Sequence, residues 1–190
     1  MLFLVGGCSR SGKTTLARRM LKRHGIPHLS TDHLARGLSA AGLGEIDPRE
    51  DDRGTAAKME PLLLGILLAA GYEESDYLVE GVHVTPKLVS LAQVKVAVPV
   101  AGVILGYPDA DLDAKLVALA ARPPRRDGRP DWLFEFPRDA QLRFLVSQRE
   151  ISREHRAAAA ETGVSFFDGS ADIAAAIGGA EAALESNFTT

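Results

Sequence analysis

The 190-residue sequence has one cysteine, Cys8, so no intrachain disulfide can form, and cysteine usage fits a reducing compartment. It has no basic excess either: the net charge of -3 argues against a general nucleic-acid or membrane-surface binder. Its longest nearly apolar run, Pro61 to Ala70, is too short to cross a bilayer. Internal repeats and low-complexity tracts are missing as well. These absences point to a cytoplasmic globular protein of one domain spanning 1–190, with ordinary proportions of hydrophobic (46%) and charged (25%) residues.

What the sequence does have is concentrated at its start. The apolar run Leu2-Phe3-Leu4-Val5 reads as a buried strand and leads into Gly7-Cys8-Ser9-Arg10-Ser11-Gly12-Lys13-Thr14. This is G-x-x-x-x-G-K-T, the phosphate loop between a strand and a helix. Gly7 and Gly12 reach backbone angles closed to other residues, so successive amides can point at phosphate oxygens. Lys13 can reach the β- and γ-phosphates, Thr14 can offer its hydroxyl to Mg²⁺, and the helix that follows presents its positive end to the anion. Gly7 to Thr15 is therefore the expected nucleotide-binding segment, taking in Cys8, Ser9, Arg10 and Ser11. Cys8 reads as a small side chain tolerated by a tight loop, with a redox role as the alternative.

Charge is distributed unevenly. Residues 1–31 hold six Lys or Arg and no acid, and residues 122–156 hold nine arginines and six acids. Two electropositive zones in an acidic protein suit a polyphosphate ligand.

Ile26 to Ser30 reads as a second strand, placing Thr31-Asp32 at its carboxyl end, where open parallel sheets face their ligand crevice. Asp32 or Thr31 is also the expected cap of a helix from His33 to Ala41. Tyr77 to His83 reads as a third strand that delivers Glu80, an acid placed to hold a hard cation through oxygen. His83 is a candidate substrate contact. Asp51-Asp52-Arg53-Gly54 fits a D-x-x-G switch, but no apolar strand precedes it and no N-K-x-D follows, so it reads as a solvated acidic loop.

Later segments read as a helix over 55–70 with Pro61 as a kink or restart, a short helix from Thr85 to Ala92, a strand near Gly102–Leu105 and a helix over 109–121. A Pro/Gly-broken, Arg-rich loop follows. Mobile arginines suit a lid over about 122–137, because the guanidinium fork binds phosphate, and Trp132, Phe134 and Phe136 would anchor its far end. A long helix from Pro137 to Glu161 sets Arg149, Arg153 and Arg156 on a common face, with Glu150 and Glu154 able to pair along it. A last strand over 163–167, a helix over 171–184 and a frayed end complete the chain.

The order of strand, phosphate loop, helix, strand with Thr-Asp, strand with Glu-Gly, Arg loop and final helices resembles the P-loop small-molecule kinases over nearly the whole chain. Ser30-Thr31-Asp32 and Val79-Glu80-Gly81-Val82-His83 resemble segments of 2-phosphoglycerate kinase-like enzymes. The resemblance implies an α/β fold of three layers, with a five-stranded parallel sheet, the loop strand at its centre and helices on both sides. It also implies an ATP- and Mg²⁺-dependent kinase acting on a hydroxyl of a small, anionic metabolite such as a phosphoglycerate. A nucleoside, sugar or antibiotic kinase is the alternative, and a slowly hydrolysing regulatory switch is the alternative of another class. In these roles Lys13 stabilises the transferring phosphoryl group. Asp32 orients or deprotonates the acceptor, Thr14, Asp32 and Glu80 serve the metal, and Asp32, Glu80 and His83 meet the substrate. Arg122, Arg125 or Arg126 neutralises charge from the lid. The chain lacks the Asp-Gly-Phe-Pro-Arg segment of adenylate-type kinases, which makes a nucleotide acceptor less favoured. Nucleic acid is an unexpected partner for want of a basic stripe.

Overall fold

The computed structural model describes residues 1–43, 46–47, 51–73, 75–123 and 131–189. Its strands are β1 (Leu2–Gly7), β2 (His28–Ser30), β3 (Tyr77–Glu80), β4 (Val100–Gly106) and β5 (Ser165–Asp168). All neighbours pair in parallel in the order β2-β3-β1-β4-β5, so the strand feeding the phosphate loop is central.

Strand alternation explains the layers. Leu2 and Leu4 of β1, Val79 of β3 and Ile104 of β4 turn to one face, while Phe3, Val5, Leu78, Val103 and Leu105 turn to the other. Side chains two apart share a face, so a central strand buried on both sides reads as an unbroken apolar run. The second face is covered by α1 (Lys13–His24) through Leu16, Ala17 and Met20, and by α7 (Ile173–Glu185) through Ala176, Ile177, Ala180 and Leu184. The first is covered by α3 (Asp52–Ala70), α4 (Pro86–Lys95) and the end of α6 (Arg138–Thr162). α2 (Thr31–Ala40) adds Ala35 to that face. A smaller core joins α5 (Leu112–Ala120) to α6 and to the 3₁₀ turn Trp132–Glu135, around Tyr107, Leu116, Leu133 and Leu145.

Several elements differ from the sequence expectation. α2 starts at Thr31, with Ser30 at the cap position and no side-chain cap, so Asp32 lies in the first turn and leaves its carboxylate free of a capping role. α3 runs through Pro61 as one helix and buries Met59, Leu63 and Leu67, while Leu62 and Leu68 stay exposed. Four-residue spacing sets that stripe; the remaining leucines fall off it. Glu154 pairs with Arg53 of α3 at 2.8 Å instead of along its own helix. The chain end is a 3₁₀ turn, Ser186–Thr189, whose Phe188 ring sits 5.2 Å from Phe3 and 4.7 Å from His24. Among the described residues no helix is long and apolar enough to cross a membrane.

Candidate active site

The phosphate loop leaves β1 through Gly7, whose φ of 127° and close approach to β4 both demand glycine: a Cβ there would lie 1.9 Å from the Leu105 carbonyl oxygen. Arg10 takes a left-handed φ of 65°, unusual for a residue with a side chain, and Gly12 takes 102° just before α1. The loop is held in this shape from several sides. The Tyr107 hydroxyl donates to the Ser9 carbonyl at 2.9 Å, and Lys115 Nζ donates to the Arg10 carbonyl at 3.4 Å. The Arg10 guanidinium pairs with both carboxylate oxygens of Asp131 and stands 5.1 Å from the Trp132 ring centre. Burial pulls Lys115 down to about 8, with nearby Arg122 and Arg10 acting in the same direction and Cys8 opposing.

Inside the loop, Lys13 is buried and its ammonium donates to the Cys8 carbonyl at 2.6 Å. Cys8 is fully buried, and burial raises its thiol pKa despite Lys13 and Lys115 nearby. That environment is the reverse of a reactive thiolate and supports the packing reading of this residue.

Glu80 comes off the end of β3, is 2% exposed, and receives the Thr14 hydroxyl on Oε1 and Oε2 at 3.2 and 3.3 Å. The register pairs Glu80 with Val5 on one side and with Ser30 on the other, which lines up the ends of β1, β2 and β3. Next to it, Gly81 passes so close to α2 that a Cβ would meet Thr31 Oγ1 at 1.8 Å. His83 is buried, its Nδ1 lies 2.9 Å from Thr31 Oγ1, and burial lowers its pKa, so the ring is neutral at physiological pH.

Two cavities meet above these strand ends. One, of about 450 Å³, is lined by Arg10, Lys13, Thr14, Arg18, Glu80 and Arg122. The other, of about 670 Å³, is lined by Asp52, Thr55, His83, Phe136, Phe144 and Gln148 among others. Ser9, Asp32, Arg36, Val82 and Trp132 line both. Asp32 thus stands on the boundary, and neither it nor Arg36 makes a side-chain hydrogen bond or ion pair among the described residues. The structure therefore gathers Ser9, Arg10, Gly12, Lys13, Thr14, Thr15, Asp32, Glu80 and Arg122 on one cavity wall, with His83 on the adjoining one. Arg125 and Arg126 lie outside the described residues, as does the middle of the expected lid. Of the three aromatics expected beside it, Trp132 meets Phe136 at 6.2 Å, edge to face, and Phe134 packs against the smaller core; Phe144 of α6 adds a second edge-to-face contact to Trp132 at 5.2 Å.

The residue set fits a nucleotide triphosphate with its metal. Thr14 and Glu80 supply a hydroxyl and a carboxylate side by side, oxygen donors of the kind Mg²⁺ takes. No group of three or more His, Cys, Asp or Glu among the described residues could hold a metal unaided. Mg²⁺ commonly keeps water and phosphate oxygens as its other ligands.

The sequence reading missed Gln148. This α6 side chain is 3% exposed, accepts the Ser9 amide hydrogen on Oε1 at 2.7 Å and donates from Nε2 to Asp52 Oδ2 at 2.8 Å. It ties the phosphate loop to the start of α3, in the segment read as a solvated loop. A signal was available: Leu145, Gln148 and Ile151 are all buried at three-residue spacing, so a polar side chain sits on the core stripe and needs partners there. The α6 arginines, by contrast, serve structure. Arg149 and Arg153 donate to the carbonyls of Ala110 and Pro108, Arg156 pairs with Asp109, and Arg138 and Arg143 pair with Asp113 and Asp139.

No protein-family model matches the chain. A cytidylate kinase from Thermus thermophilus is 36% identical over 85 residues, a match that spans 44% of this chain and 39% of that protein. Among solved structures, a sugar kinase from Janibacter sp. HTCC2649 superposes with a TM-score of 0.56 at 17% identity, covering 97% of this chain and 94% of that one. A gluconokinase from Sinorhizobium meliloti 1021 gives 0.54 at 20% identity, covering 97% and 91%. With the central phosphate-loop strand and the parallel order β2-β3-β1-β4-β5, these similarities establish that the chain has the fold of the P-loop small-molecule kinases.

Proposed function

We propose that the protein is an ATP- and Mg²⁺-dependent kinase that transfers the γ-phosphoryl group to a hydroxyl of a small metabolite. The observation that carries this reading is the paired cavity with Asp32 on the shared wall. A phosphate loop that only bound and slowly hydrolysed nucleotide would have no use for a second cavity of about 670 Å³ beside it, which disfavours the regulatory switch.

Phosphoryl transfer needs little covalent help from the protein; it needs alignment and charge neutralisation. Lys13, whose ammonium donates to the Cys8 carbonyl, would neutralise the β- and γ-phosphates of a bound nucleotide, and Arg122 adds positive charge on the same wall, where Arg10 is balanced by Asp131. Thr14 and Glu80 would hold Mg²⁺, which supplies charge neutralisation across the phosphate oxygens when bound. Asp32 accepts the hydrogen of the attacking hydroxyl, orienting its lone pair at phosphorus and taking the proton as the bond forms. His83, neutral and fixed by Thr31, supplies an uncharged hydrogen-bonding edge to the acceptor side. Arg125 and Arg126 remain candidates for charge neutralisation from a lid over 122–137.

The acceptor is better read as a sugar, nucleoside or antibiotic alcohol than as a phosphoglycerate. Arg36 is the one Lys or Arg among the described residues on the larger cavity, and the α6 arginines are engaged elsewhere. The two solved neighbours are named for a sugar and for gluconate, polyhydroxy compounds of a size the larger cavity holds, while the Thermus thermophilus relative is named for cytidylate, a nucleotide.

The test is a pair of variants. Lys13→Ala should abolish both ATP turnover and transfer, and unaltered turnover would remove the phosphate loop from the mechanism. Asp32→Asn should lower transfer to the acceptor by roughly a hundredfold or more while the affinity for ATP holds; equal transfer by wild type and variant would take Asp32 out of the acceptor role.

A further inference from the structure

We infer that Asp52, Thr55 and Gln148 form an acceptor-recognition subsite that selects a neutral or amine-bearing polyhydroxy compound against an anionic one. This rests on the kinase reading above and specifies its acceptor. Three observations converge on the larger cavity. First, Gln148 accepts from the Ser9 amide and donates one Nε2 hydrogen to Asp52 Oδ2, which fixes the Asp52 carboxylate and leaves Oδ1 without a hydrogen bond among the described residues. Second, Thr55, one turn further along α3, is 2% exposed and its hydroxyl has no partner, although the residue lines the same cavity. A buried hydroxyl left unpaired costs free energy that a ligand hydroxyl can return. Third, the same cavity is lined by Trp132, Phe136 and Phe144, whose rings offer apolar faces to the C–H surface of a sugar-like ring.

The charge balance sets the sign of the selection. Asp32, Asp51 and Asp52 face this cavity against Arg36. Asp51 is neutralised in part by Arg53 at 3.1 Å, and His83 contributes no charge because burial keeps it neutral. A carboxylate or phosphate placed between Asp52 and Asp32 would meet like charge in a partly desolvated site, whereas hydroxyl and ammonium donors would find carboxylate acceptors ready. The Thr55 hydroxyl can donate or accept, so with Asp52 Oδ1 it offers a two-point grip on neighbouring hydroxyls.

The test titrates the full chain, with Mg²⁺ and a non-hydrolysable ATP analogue present, using compounds matched in skeleton and different in charge: glucosamine, glucose and gluconate in one set, cytidine and cytidylate in another. Trp132, the one tryptophan, reports binding by fluorescence. In at least one set the neutral or cationic member should bind about tenfold or more tightly than its anionic partner. Asp52→Asn should reduce that preference to about threefold or less, and Thr55→Val should weaken the preferred member while Thr55→Ser restores it. Preference for the anionic member, an undiminished preference in Asp52→Asn, or no binding by any member of either set would overturn the subsite. Failure of the analogue itself to bind would instead strike the kinase reading, so the two failures are separable.

Discussion

Replacing Gln148 with leucine tests the bridge between phosphate loop and α3 with little change in volume. The side chain is 3% exposed, so neither of its hydrogen bonds is shared with bulk water. Gln148→Leu leaves the Ser9 amide without its acceptor and Asp52 Oδ2 without its donor. An unmade buried hydrogen bond costs about 1–3 kcal/mol, but Asp52 is half-buried and regains water on one side. The sum is ~3 kcal/mol, or a fall in Tm of about 6–12 °C for a chain of this size. Urea unfolding followed by circular dichroism measures it, and a loss under about 0.5 kcal/mol would refute the bridge. Exchanging the polarity of the pair sharpens the test. Gln148→Glu alone keeps an acceptor for the Ser9 amide but sets two carboxylates together. Adding Asp52→Asn supplies a donor again, so the double variant should recover most of the stability lost by Gln148→Glu, with a coupling of roughly 1–2 kcal/mol. Acceptor affinity should not recover, because the carboxylate at 52 is gone.

Burial holds His155 neutral, its pKa pulled from 6.5 to about 4, so the unfolded chain takes up the proton first as pH falls. The stability present above the unfolded value is then lost between pH 6.5 and about 4, by ~2–3 kcal/mol, and His155→Gln should flatten that part of the pH profile by a similar amount. An unchanged slope would show that His155 is not held neutral. Gly81→Ala should cost about 2–4 kcal/mol, because the new methyl displaces Thr31 from its contact with His83; a substitution that proved neutral in urea unfolding would contradict the close packing of β3 on α2. Cys8 should react with iodoacetamide at neutral pH at least about a hundredfold more slowly in the folded chain than in urea, and comparable rates would revive a redox role.

The parts of the fold that were legible in the sequence are those fixed by local chemistry. The apolar run of β1, the glycines of the phosphate loop, the acid that follows β2 and the acid that ends β3 all carry their meaning within a few residues. Parallel strands end at the crevice; the register of β1, β2 and β3 sets Glu80 there, and Asp32, in the first turn of α2, lines both cavities. Gln148, Asp52 and Asp131 were not legible for the opposite reason. Their partners lie 139, 96 and 121 residues away in the chain, so only the packing of α3, α6 and the 3₁₀ turn on the loop brings them in. The arginines of α6 show the same limit. Sequence reads most of them as solvated charges, whereas Arg149, Arg153 and Arg156 bond the Ala110 and Pro108 carbonyls and the Asp109 carboxylate in the turn after β4. Charge counted along a sequence says where cations are, but only the fold says what they face.

The most direct test of the central claim follows the fate of the γ-phosphate of labelled ATP with Mg²⁺, across sugars, amino sugars, nucleosides, nucleotides, aminoglycosides and phosphoglycerates. The account predicts label on a hydroxyl of a neutral or amine-bearing acceptor, and its loss in Asp32→Asn. Label released only as inorganic phosphate with every acceptor, at a rate that Asp32→Asn leaves unchanged, would contradict it.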